Sequence, residues 1–132
     1  MLSDQKIGNI DSIDHLFNPS DYLVSPFNSA NAFLGNKYFL THQQEDVKGK
    51  IIESINSITS ANFISIVGSA GTGKTLLVYD FVKEMMGSKK KPLIIHCGKL
   101  NEGQCKLTEI GWDIILIKKY AEYDLSIYNV VV

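Results

Sequence analysis

The chain has 132 residues, 45% of them apolar and 20% charged, with a net charge of −1. That length holds one domain at most, and a near-neutral balance excludes a global basic field that would attract nucleic acid. All 13 basic residues are lysine, so the chain supplies neither an arginine finger nor a bidentate guanidinium clamp for phosphate.

The first 37 residues form a lead-in segment. Asn18-Pro19-Ser20-Asp21, Ser25-Pro26 and Gly35-Asn36 break regular structure. Phe17, Tyr22, Phe27 and Phe33 are scattered between them, and such aromatics predict packing rather than a disordered tail. The start of the chain has no apolar signal core, and no run approaches the roughly 18 apolar residues of a membrane helix. A cytoplasmic protein with no membrane partner is expected.

Residues 38–132 carry the readable pattern. Thr41 with Gln44 three positions on is the spacing of a capping box. Val47, Ile51, Ile52, Ile55 and Ile58 follow at helical period, which predicts a helix over 42–58. Phe63-Ile64-Ser65-Ile66-Val67 predicts a short buried strand. Leu76, Leu77, Val78, Phe81, Val82 and Met85 predict an amphipathic helix ending near Gly87. Lys89-Lys90-Lys91-Pro92 reads as a solvated turn, and Leu93-Ile94-Ile95-His96-Cys97 as a strand of the continuous apolar kind found in parallel sheets. The stretch from Leu100 to Leu107 is helical or looped. A short strand is expected within Trp112 to Ile117, and a third parallel strand over Ile127 to Val132. Strand, helix and strand in this alternation predict an α/β fold with a parallel sheet flanked by helices.

Between the first strand and its helix lies Gly68-Ser69-Ala70-Gly71-Thr72-Gly73-Lys74-Thr75. Glycines allow the backbone to wrap phosphate oxygens in conformations that a side chain forbids. The N–H groups of 71–75 then form an anion nest at a helix N-terminus. Lys74 is the expected charge on the β- and γ-phosphates and the candidate catalytic residue. Thr75 is the expected hydroxyl ligand of Mg²⁺. The expected ligand is ATP with Mg²⁺. A guanine-specific Asn-Lys-x-Asp signature is missing, because the only Asn-Lys, Asn36-Lys37, lies upstream and continues as Tyr38-Phe39.

Leu40-Thr41-His42-Gln43-Gln44 resembles the Q motif of superfamily-1 helicases, whose glutamine reads the adenine edge. The resemblance gives Gln44 that role. An amide that both donates and accepts suits it, and a first-turn capping residue is the alternative. Gly71-Thr72-Gly73-Lys74-Thr75-Leu76-Leu77-Val78-Tyr79-Asp80, Leu93 through Gly103 and Gly111-Trp112-Asp113-Ile114-Ile115 are similar to the Schlafen-type group of DNA/RNA helicase domains. The likeness covers roughly 38–132. It implies the N-terminal part of a RecA-like P-loop NTPase, with DNA or RNA as partner and ATP hydrolysis as activity. In that group Tyr128-Asn129-Val130-Val131-Val132 would run into a Walker B Asp-Glu pair, and here the sequence stops before it. The expectation is therefore an incomplete RecA-like sheet that binds ATP without hydrolysing it. A P-loop small-molecule kinase and a non-catalytic nucleotide-binding fragment are the competing functions.

The smaller signals stay two-sided. Lys99 and Asn101 correspond to a nucleic-acid-contacting loop under the resemblance, or to a solvated loop. Trp112 stacks on a base or packs in the core. His96 and Cys97 lack further ligands at metal-site spacing. Cys97 and Cys105 read as reduced thiols, Lys89-Lys90-Lys91 as solvated, and Asp80 as structural.

Overall fold

A computed structural model describes residues 24–57 and 63–132. The expected turn at 18–21, Phe17, Tyr22 and Ile58 lie outside them. In chain order the elements are α1 (Ala30–Leu34), α2 (His42–Asn56), α3 (Lys74–Gly87), β1 (Pro92–His96), α4 (Glu102–Glu109), β2 (Ile114–Leu116) and β3 (Val130–Val131). Two 3₁₀ turns, Ile117–Glu122 and Leu125–Ile127, connect β2 to β3.

The sheet is parallel, in the order β2-β1-β3. Ile94 stands opposite Ile114, and Leu93 opposite Val131. β1 is central, which explains its unbroken apolar run. Leu93 is fully buried and Ile94 nearly so. The fold is α/β, as its alternating elements predict. The third strand is shorter than the Ile127 to Val132 expected, because Leu125–Ile127 closes as a 3₁₀ turn whose first N–H groups Asp124 caps.

The core gathers where α1, α3 and α4 meet the sheet. Phe33 of α1 is fully buried. It stacks on Tyr38 at 5.2 Å and meets Tyr79 and Trp112 edge-on at 6.4 and 5.9 Å. Tyr79 stacks on Trp112 at 5.9 Å, which assigns Trp112 to the core. Burial raises the Tyr79 pKa, although a hydrogen bond from Gln104 Nε2 (2.9 Å) opposes the shift. Gln104 is itself fully buried, and its Oε1 accepts from Asn101 N–H at 3.0 Å. The helix α4 presses its Gly103 onto the carbonyls of Pro26 and Phe27, where a Cβ would collide with backbone.

One predicted element is not formed. Residues 63–67 take no regular secondary structure, and no strand among the described residues pairs with them. Phe63 is 97% exposed and Val67 88%, against the buried strand expected. Only Ile66 packs onto the core. Apolar residues in a row give β-propensity, yet a strand also needs a ladder partner, and β1 already has one on each edge.

Candidate phosphate-binding site

Residues 68–73 form the loop between this segment and α3, and Lys74 and Thr75 open the helix. Gly71 and Gly73 take φ of +79° and +75°, the left-handed region that only glycine enters without strain. Gly73 is the N-cap of α3, and no side chain caps that end. By contrast α2 and α4 both begin with complete capping boxes, Thr41 with Gln44 and Asn101 with Gln104. The first-turn N–H groups of α3 thus have no intrahelical acceptor, and a bound anion would supply one.

Lys74 folds over the loop. Its Nζ donates to the carbonyls of Gly68 and Ser69, both at 2.7 Å. The Thr72 hydroxyl donates to the same Ser69 carbonyl at 2.9 Å. These bonds hold the ammonium at the loop with no carboxylate paired to it among the described residues. An incoming phosphate could take it over from two neutral carbonyls, because charge-assisted bonds are the stronger.

Gln44 joins α2 to the loop. Its Oε1 accepts from Thr41 N–H at 2.8 Å, and its Nε2 donates to the Thr72 carbonyl at 3.0 Å. The capping role is therefore real. An amide has two N–H donors and two lone pairs, so Gln44 keeps one of each for a ligand. The backbone at Gly73 lies so close that a Cβ there would strike the Gln44 amide.

Gln44, Gly68, Thr72 and Lys74 line one cavity of about 520 Å³ between α2, the 63–67 segment and α3. That falls within the roughly 300–1,000 Å³ typical of small-molecule sites. Val47, Ile51, Ile66 and Leu77 make its apolar walls. Ser69, Ala70, Gly71 and Gly73 of the loop and Thr75 of α3 lie outside the lining. For Mg²⁺ the exposed Thr75 hydroxyl at the start of α3 is the expected ligand. No group of three His, Cys, Asp or Glu converges among the described residues. The ion would be held by the phosphates and that hydroxyl, a fit with the oxygen chemistry Mg²⁺ prefers.

No family model matches the chain. No curated protein and no solved structure matches it either.

A network with no clear sequence signal holds α2 against α3. Lys48 Nζ reaches Asp80 at 2.8 Å, Glu45 at 3.1 Å and Glu84 at 3.3 Å, and the Tyr38 hydroxyl also donates to Asp80. Burial works against the Lys48 ammonium, but the bonds to Asp80, Glu45 and Glu84 outweigh it, and its pKa is raised. The Tyr38 hydroxyl is raised by burial first and by Asp80 next. Asp80 is structural, as expected from its place on the helix. Asp80→Ala should destabilise the fold by about 1–3 kcal/mol, because Lys48 and Tyr38 both lose a half-buried partner. A folded-state Lys48 pKa above the unfolded value of 10.5 means that its contribution is whole below about pH 10.5 and fades as pH rises through the folded value. Urea melts of wild type and Asp80→Ala should therefore differ most at neutral pH and converge at the alkaline end.

The remaining candidates separate cleanly. Asn101 caps α4, its Oδ1 accepting from Gln104 N–H at 2.9 Å. Lys99 is exposed in the loop after β1. His96 faces the Phe27 ring at 6.3 Å, and Cys97 and Cys105 are free and exposed. Lys89 turns the chain at φ +58°, Lys90 donates to Asn56 Oδ1 at 2.8 Å, and Lys91 lies over the Tyr128 ring at 4.7 Å. No helix among the described residues is long and apolar enough to cross a membrane. The sequence reading missed Gln43 and Lys50 as cavity-lining residues. Helical period from Val47 to Ile51 and Ser54 could have placed them on that face.

Proposed function

We propose that this chain binds Mg·ATP and forms the phosphate-binding part of a RecA-like, helicase-type ATPase acting on DNA or RNA. The observation that carries the reading is the loop at 68–75. It combines two left-handed glycines, an uncapped helix start and a lysine ammonium held at the loop by neutral carbonyls. The cavity beside it has the volume for the nucleoside half of the ligand. Gln44 retains one donor and one acceptor, the pair that an adenine edge needs. Lys99, exposed after β1, is the residue through which the resemblance to helicase domains implies nucleic-acid contact.

One observation favours a second reading, a nucleotide-binding module without catalysis. Among the described residues no carboxylate lines the cavity, and hydrolysis needs a group that orients and activates the attacking water. Calorimetric titration with Mg·ATP, followed by a phosphate-release assay with and without single-stranded DNA and RNA, tests both. The expected result is saturable binding with no release by this chain alone. Absence of binding would remove the proposal, and Lys74-dependent turnover would remove the non-catalytic reading.

A further inference from the structure

We infer that Lys50 is a second nucleotide-binding group, and that its ammonium meets an acceptor on the base while Lys74 holds the phosphates. The inference rests on the nucleotide site proposed above and assigns its far end. Among the described residues two lysines line the cavity, Lys74 and Lys50. Lys74 belongs to the phosphate loop. Lys50 lies on α2, six residues beyond Gln44, or about 9 Å along a helix axis at 1.5 Å per residue. Because Gln44 is bonded to the loop at Thr72, Lys50 stands farther along α2 from the loop than Gln44 does, so Gln44 would meet the near edge of the base and Lys50 a ring nitrogen beyond it. Phosphates seated on the loop would send the nucleoside half along α2, between the apolar walls of Val47, Ile51 and Ile66, toward Lys50.

The two lysines of α2 have different surroundings. Lys48 turns away from the cavity to three carboxylates. Lys50, an exposed residue, lines it, and no carboxylate pairs with Lys50 among the described residues. Among those residues none lines the cavity. An ammonium donates and never accepts, so any ligand group that it meets in the cavity is an acceptor. A purine ring nitrogen is such an acceptor, and it lies at the end of the ligand remote from Lys74. Gln43, also in the lining, can both donate and accept beside it. With no arginine in the chain, lysine is the only side chain that can bring a permanent cation to this end.

The test compares a complete nucleotide with its phosphate tail alone. Wild type, Lys50→Ala, Lys50→Met and Lys74→Ala are titrated with ATP and with inorganic tripolyphosphate, both as magnesium salts. Both Lys50 variants should bind ATP about tenfold more weakly, the scale of one lost charged hydrogen bond. Their tripolyphosphate affinity should stay within about twofold. Lys50→Met keeps the stem, so an equal loss in both variants identifies the ammonium rather than its packing. Unchanged ATP affinity, loss in Lys50→Ala alone, or an equal loss for both ligands would overturn the assignment of Lys50 and leave the site standing. If wild type binds neither ligand, or Lys74→Ala weakens neither, the site itself falls and Lys50 with it.

Discussion

Lys74→Ala should lower Mg·ATP affinity by roughly a hundredfold while leaving the melting temperature almost unchanged. The binding loss follows from removing the cation that the loop presents to the phosphates, and charge-assisted bonds of this kind contribute about 1.5–3 kcal/mol each. The stability change is small because Lys74 donates in the folded protein to two exposed loop carbonyls, and water replaces it at both. Those carbonyls need no other partner to stay solvated, so the cost stays near or below about 1 kcal/mol. Calorimetry and a thermal melt on the same sample check both halves. Wild-type affinity in the variant would take the loop out of the binding site, whatever ligand the cavity accepts.

Phe33→Ala should have the opposite signature, a large loss of stability with binding affected only through the folded fraction. Phe33 is fully buried among Tyr38, Tyr79 and Trp112, and the Lys83 ammonium lies 4.9 Å from its ring centre. Truncation would remove all of these contacts and leave a cavity, a change that costs about 3–5 kcal/mol in protein cores. Native domains hold only about 5–15 kcal/mol in total, so the variant would be close to unfolding. The consequences would also reach the site by a traceable route. Lys83 of α3 donates to the Phe33 and Leu34 carbonyls at 2.9 and 3.3 Å, and Tyr38, stacked on Phe33, holds Asp80 of the same helix. Phe33→Leu, which keeps most of the volume, should lose less than half as much in a urea melt. Equal stability of Phe33→Ala and wild type would mean that α1 is not part of the cooperative core.

The two variants separate what the loop does from what the core does. The loop is an exposed device on the end of α3, and little else depends on its side chains. The core beneath it orients α2 and α3, through the Phe33 cluster and through Lys48 with its three carboxylates. Gln44 and Lys74 occupy the first turns of those two helices. Their mutual placement therefore depends on contacts that neither residue makes itself.

Local sequence alone determined much of this. The capping box at Thr41 and Gln44, the helix that follows it, the glycine-rich loop opening α3 and the central strand β1 are set by interactions within a few residues or by an unbroken apolar run. Asn101 with Gln104 repeats the capping spacing and marks the start of α4 within a stretch whose composition alone fits helix or loop. What only the tertiary structure decided is pairing over distance. Residues 63–67 have the composition of a strand, but a ladder requires a partner that composition cannot name, and in the fold they stand solvated. Gln44 meets Thr72 across 28 residues, and Lys48 meets Asp80 across 32. Lys50 and Lys74 come to one cavity only because α2 packs beside α3. Local propensity acts through the backbone of neighbouring residues, whereas these contacts form only after the chain has closed its loops around a shared core.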